Sequence, residues 1–279
     1  MEWERQQRQR QREERETERR SKNLRDLGDL RGKSAPGPIP RSPYVSPSKL
    51  TAEQKSLLEP SLHYQASFAK FLSRPNTGLV HLLPREKYDQ TIQMPLRGGG
   101  VYYSFSKLSH EQTPWSDIKF QEGQLHTGIN ELSLGLMTML GDVSLENVNL
   151  DNPAVKFISQ LALPVKYGEH KSHLDKYRSG FGADGNSYRS ELPAQLNATY
   201  VMRSTIYNRV DSVVGFRMIG EGPDGSVTLL WKMLNKLQVK KLKDIPRELV
   251  AVPNRYFILR YQNQSTGLLY GTSVSPECQ

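Results

Sequence analysis

His170 and His173 stand three residues apart in EHKSHLD, flanked by Glu169 and Asp175. On a helix, residues three apart share a face, so two imidazoles and the Asp175 carboxylate would reach one metal ion there. A metal-bound water is a nucleophile near neutral pH, and the chemistry implied is metal-assisted hydrolysis. The spacing departs from the zinc-protease helix, which sets its histidines four apart with a glutamate beside the first. In a polar, glycine-bounded stretch the same two histidines also fit a solvated loop.

A second constellation is Arg97-Gly98-Gly99-Gly100, which leads into VYYSFSK. Consecutive glycines allow positive φ and let backbone N–H groups approach a ligand, and the adjacent arginine would pair with an anion. His110 and Glu111 would add polar groups to such a pocket near the strand ends. No Lys-Ser/Thr follows the glycines and a strand comes next, so neither a phosphate loop nor a dinucleotide fingerprint is present. The competing reading is a sharp bend that lets two sheet elements pass closely. His81, His110 and His126 with Ser104, Ser106, Ser109, Glu111 or Asp117 contain the residue types of a hydrolytic set. No G-x-S-x-G elbow marks a nucleophile among them, so no catalytic residue is assigned. The single cysteine, Cys278, forms neither an internal disulfide nor a multi-thiolate metal site. No cofactor is expected. Lysines 232, 236, 240, 241 and 243, set among Leu234, Leu237, Val239 and Leu242, make a basic amphipathic stretch. Such a stretch suits an acidic membrane, nucleic acid or a solvated strand edge.

The elements that would position these groups read as α+β. Thr51 and Gln54 have capping-box spacing ahead of Leu57 and Leu58, and Pro60 opens a second helix with Leu62, Phe68, Phe71 and Leu72 inward. Strands are expected at 91–94, 101–107, 117–121, 124–129 and 132–140, with a hairpin at Glu122-Gly123. Asn152-Pro153 starts a short helix. Residues 199–207, 213–219 and 226–232 make an antiparallel meander, turned by Pro223-Asp224-Gly225. A last strand falls at 256–261. Helices interleaved with antiparallel hairpins argue for mainly antiparallel sheets with a few short helices, not a doubly wound fold. Residues 165–193 are polar, carry four glycines and show no period, so they read as a long loop and as the place for a site or a sub-domain boundary.

Composition separates three regions. The chain has 279 residues and a formal charge of +9. Residues 1–50 hold 13 Lys/Arg against 8 Asp/Glu, so more than half of that excess lies where apolar residues are too few for a core. Residues 1–30 read as a charged, exposed helical tail laced with Glu–Arg pairs four apart. Residues 31–49, with prolines at 36, 38, 40, 43 and 47, read as an extended linker. Residues 50–279 form the α+β globular domain. No apolar run approaches the ~20 residues of a membrane span, and no secretory h-region opens the chain. The chain as given therefore reads as cytoplasmic, or as exported if a leader has been trimmed.

Across residues 82–161, the phrases LLPREKYD, LRGGGVYYSFSKLSHE and LGDVSLENV resemble a group of uncharacterised bacterial proteins, as does DSVVGFRMI…DGSVTLLWKML. The resemblance implies a bacterial source and, for many members, export; it attaches no activity or catalytic residue. The leading expectation is an interaction or structural module without catalytic activity, meeting a protein partner through its N-terminal tail. The alternatives are a nucleic-acid-associated protein using its basic arm and a metal-assisted hydrolase.

Overall fold

Along Thr199–Ile206 every residue is buried, apolar and polar alike. A strand shows its side chains to two faces in turn, so such a run requires cover on both sides. The computed structural model describes residues 45–88, 94–246 and Leu249, and shows what supplies that cover. The strands are β1 (Thr77–Leu82), β2 (Tyr102–Tyr103), β3 (Ile118–Gln121), β4 (Gln124–Thr127), β5 (Ser133–Gly141), β6 (Phe181–Ala183), β7 (Asn186–Tyr188), β8 (Glu191–Pro193), β9 (Thr199–Ile206), β10 (Val210–Glu221) and β11 (Val227–Lys236). A five-stranded antiparallel sheet runs β1-β11-β10-β9-β5, and a four-stranded one runs β2-β3-β4-β8. The meander β9-β10-β11 is the one expected from sequence, with Tyr200 opposite Phe216 and Phe216 opposite Trp231.

One face of the large sheet presents Tyr200, Met202, Val214, Phe216, Leu229 and Trp231 to Ile118, Phe120, Leu125 and Leu192 of the small sheet. This sandwich core contains the stacked pair Tyr200–Phe216, with ring centroids 5.0 Å apart. Six α-helices, α1 (Ala52–Ser56), α2 (Leu62–Ser67), α3 (Ala69–Leu72), α4 (Arg85–Tyr88), α5 (Pro153–Gln160) and α6 (Tyr167–Ser179), and two 3-10 turns, Pro47–Lys49 and Leu145–Asn147, complete the described fold. On the opposite face of the large sheet, Leu134, Leu136 and Val201 pack with Val155 and Ile158 of α5 and Tyr177 of α6. Phe68 and Phe71 cover Leu79 and Leu230 farther along. The chain is therefore α+β and mainly antiparallel.

Local signals account for several boundaries. Thr51 and Gln54 form the reciprocal capping box of α1, each side chain bonding the other's backbone N–H. Asn152 caps α5 by accepting from the Ala154 N–H at 3.0 Å. Arg203, on the helix-facing side of β9, donates from Nη1 to the carbonyls of Ile158 and Leu161 at the end of α5 and pairs bidentately with Asp211. A buried charge pair of this kind ties the helix to the sheet.

Five expectations change. Residues 165–193 are not a loop: they hold α6, the β6–β7 hairpin and β8. Helix α6 fully buries only His170 and Tyr177, so it carries no apolar period to read. Strand β1 was not expected, because its six residues sit between a helix and Pro84. The strand expected over 101–107 stops at Tyr103, since the Leu108 N–H turns back to the Ser104 carbonyl at 2.8 Å. Leu62, expected inward, is exposed. The charged helix, the linker up to residue 44, most of the strand at 91–94 and the strand at 256–261 lie outside the described residues. Val45, assigned to the linker, pairs its N–H with the Pro95 carbonyl. Among the described residues no helix is long and apolar enough to cross a membrane.

Candidate functional site

The four-stranded sheet turns Ile118, Phe120, Leu125 and Leu192 inward, so alternation places Lys119, Gln121, His126 and Glu191 on its outer face. Strand register aligns Tyr102, Lys119, His126 and Glu191 in one row across all four strands. On an outer sheet face such residues are normally solvated. Here Lys119 is 5% exposed, because the row is roofed at one end of a concavity. Arg85 of α4 approaches from one side, and Leu174, Tyr177 and Arg178 of α6 from another; Gln112, Asn130 and Ser190 complete the polar lining. The cavity measures about 70 Å³.

Its corner is shaped by two glycines. Gly128, at φ 66°, crosses Gly135 of β5 so closely that a Cβ on Gly135 would overlap the Gly128 nitrogen and the Thr127 side chain. The crossing is fastened where Thr127 N–H donates to the Ser190 carbonyl and Ser190 N–H to the Tyr177 carbonyl. The pocket thus lies where β4, β5, β8 and the end of α6 meet.

Cations outnumber carboxylates in its lining. Lys119 Nζ and Arg85 Nη1 converge on one neutral acceptor, Gln121 Oε1, at 2.9 and 3.1 Å. Arg178 adds a third cation, and Glu191 is the one carboxylate among the lining residues. His126 Nδ1 lies 3.2 Å from Glu191 Oε2. Burial first, then the Lys119 charge, push the His126 imidazole below its ordinary value, while Glu191 pulls the other way. His126 thus stands between the Lys119 ammonium on one side and the Glu191 and Glu122 carboxylates on the other. The arrangement can hold a small oxyanion by charge-assisted hydrogen bonds.

The candidate residues from sequence lie elsewhere. Gly98, Gly99 and Gly100 all have positive φ and all are buried. Gly98 leaves room for the Tyr102 ring and Gly100 for Leu58 and Leu83, while Gly99 and Val101 N–H groups bond inside the turn. The glycines thus serve a tight bend under close packing. The Arg97 carbonyl accepts from Gln112 N–H, which joins this turn to the rim of the pocket. His110 is half-buried, donating from Nε2 to the His81 carbonyl at 2.9 Å with its ring edge-on to Tyr103. Glu111 is half-buried beside it, its carbonyl accepting from Ser116.

His170 and His173 do lie on a helix, yet His170 is fully buried and bonds the Glu131 carbonyl at 2.7 Å. His173 Nδ1 turns back to the Glu169 carbonyl, and the Asp175 carboxylate faces Arg178 in solvent. Among the described residues no group of three or more His, Cys, Asp or Glu side chains is placed to hold a metal ion. Asp117, the acid of the imagined hydrolytic set, is in the sandwich core. It accepts from Ser204 Oγ at 2.6 Å and from Phe105 N–H at 2.8 Å, away from all three histidines' hydrogen bonds.

Lys119, Arg85 and Arg178 were not marked by sequence. In IKFQEGQLH the polar positions alternate with apolar ones, which is also the pattern of any half-solvated hairpin. Comparison of the chain with protein-family models, with curated proteins and with solved structures finds no match.

Proposed function

We propose that this chain is a binding module without catalytic activity of its own, which takes a small oxyanion, phosphate or carboxylate, in the pocket between β4, β5, β8 and α6. The observation that carries the reading is the lining: Arg85, Lys119 and Arg178 around one cavity, with Glu191 as the one lining carboxylate. Charge-assisted hydrogen bonds from such groups are worth about 1.5–3 kcal/mol each. The reading of a module without chemistry is supported by the hydrogen bonds of the candidate catalytic groups. His110 bonds a carbonyl, His81 Nδ1 faces Thr228 Oγ1, and Ser104 Oγ faces Asp117 and Ser106. Each of these contacts secures a turn or a strand edge.

Calorimetric titration of the full chain with inorganic phosphate and with succinate tests the pocket. Saturable binding is expected for one or both, weakened roughly tenfold or more by Lys119→Met and by Arg178→Ala. Absence of saturable heat with either anion, or unchanged binding by both variants, would overturn the pocket assignment. Turnover of phosphomonoesters or carboxylic esters that disappears with Lys119→Met would overturn the non-catalytic reading.

A further inference from the structure

The lysine-rich stretch after the meander is only partly strand. Beyond Lys236 it runs as an extended strap: Leu237 N–H donates to the Asp211 carbonyl, Lys243 N–H to the Val165 carbonyl, and the Lys240 carbonyl accepts from Asn208 N–H. Leu242 is buried beneath it and Lys241 is exposed. The Asn208 bond places the strap beside the β9–β10 turn. That turn carries Arg209, whose guanidinium lies 5.1 Å from the centroid of the Trp115 ring. Lys107 Nζ lies 4.3 Å from the same ring. Three segments, 106–109, 207–209 and 238–243, are thereby joined at one end of the sandwich. Together they hold five cations and no Asp or Glu.

The exposed apolar side chains of this end are aliphatic. Leu108, at the tip of the turn closed by Ser104 and Ser109, is 64% exposed and has φ 52°. Asparagine or glycine would fit that backbone with less strain and would leave no hydrocarbon in water, so the fold alone gives no reason for leucine. Val239 on the strap is also exposed, at 42%. Basic groups ringing exposed aliphatic side chains match an anionic bilayer, where cations meet lipid phosphates and the aliphatic groups enter the interface. A nucleic acid fits less well. The aromatic ring of this end is already stacked by Lys107 and Arg209, which removes it as a platform for bases.

We infer that the end of the sandwich formed by Lys107, Leu108, Trp115, Arg209 and the Val239–Lys241 strap is a docking surface for an anionic membrane. The surface is separate from the oxyanion pocket and does not depend on it.

The test is partitioning of the full chain onto vesicles of phosphatidylcholine and onto vesicles in which about a third of the lipid is phosphatidylglycerol. Binding to the anionic vesicles is expected, falling with added salt, and brominated lipid is expected to quench a share of the emission that Trp115→Phe removes. Neutralising each cation should cost about fivefold in partitioning, read on the pair Lys240→Gln and Lys241→Gln. Leu108→Asn, which suits the positive φ, should cost roughly tenfold in partitioning without lowering the unfolding midpoint. Equal partitioning onto both vesicle types, none onto either, or full affinity in Leu108→Asn would overturn the inference. So would duplex DNA binding that exceeds vesicle binding at the same salt and survives Leu108→Asn; that outcome would make the surface a nucleic-acid site.

Discussion

Replacing Asp117 by asparagine probes the electrostatics of the sandwich core. Asp117 is 1% exposed, and burial pushes its carboxyl up to about 6 from an ordinary 3.8, against the pull of hydrogen bonds from Ser204, Phe105 and Ser104. Between those two pH values the folded chain holds a proton that the unfolded chain has released. Stability therefore declines as pH rises through the window, by 1.36 kcal/mol per pH unit and about 3 kcal/mol in all. His110 works in the opposite sense. Burial pushes its imidazole down to about 4 from 6.5, so on acidification the unfolded chain takes the proton first. Its contribution, again about 3 kcal/mol, is lost as pH falls from 6.5 towards 4. In the wild type the two slopes nearly cancel across that range.

Asp117→Asn removes one of them. The amide oxygen can accept from Phe105 N–H while the amide nitrogen donates to Ser204 Oγ, whose hydroxyl rotates. At pH 7.5 the variant should be more stable than wild type by about 3 kcal/mol, a rise in Tm of roughly 6–12 °C. The advantage should shrink on acidification and vanish near pH 4, leaving a variant that weakens more steeply with acid than the wild type, in which the depressed imidazoles of His81, His126 and His170 also contribute to acid loss. Guanidinium unfolding of both chains at fixed ionic strength from pH 4 to 7.5 measures the difference, and imidazole NMR shifts give the His110 midpoint. A variant no more stable than wild type at pH 7.5 would refute the reasoning, as would a difference that stays constant across the range.

Arg203→Met should lower stability by about 3–5 kcal/mol in denaturant unfolding, because it leaves the Asp211 carboxylate and the last carbonyls of α5 buried without their donor. Arg203→Lys should recover little of this, since one ammonium cannot span a bidentate carboxylate and two carbonyls. Gly135→Ala should abolish soluble folded protein or cost more than about 3 kcal/mol, as its methyl would overlap backbone at the Gly128 crossing. Gly123→Ala meets open space and bears only its φ of 69°, so a loss of roughly 1–2 kcal/mol is expected in denaturant unfolding.

Much of the fold was legible because it rests on local chemistry. The capping box at Thr51 and Gln54, the Asn152 cap and the hairpin at Glu122-Gly123 each depend on residues within a few positions of one another. The meander was legible because β9, β10 and β11 are long and rich in β-branched and aromatic side chains. Helix α6 was illegible because tertiary contacts at His170 and Tyr177, not an apolar stripe, hold it. The Asp184-Gly185 pair that turns β6 into β7, with both residues at positive φ, was a readable hairpin signal that the polarity of the segment obscured.

The candidate site was less legible than the fold. Lys119 and His126 share an outer face by period alone, but alternation cannot say whether a polar face meets water or a wall. That was decided by α6, whose Arg178 and Tyr177 come from about 50 residues downstream of His126, and by the Gly128–Gly135 crossing. The glycine run shows the converse. By itself it allowed an anion cradle or a bend, and the Tyr102, Leu58 and Leu83 side chains against it decided for the bend. From the sequence alone came the α+β class, the antiparallel meander and the basic character of residues 232–243, since period, propensity and charge are properties of neighbours along the chain. Tertiary structure alone decided which polar groups share a cavity, because burial and convergence belong to residues far apart in sequence and close in space.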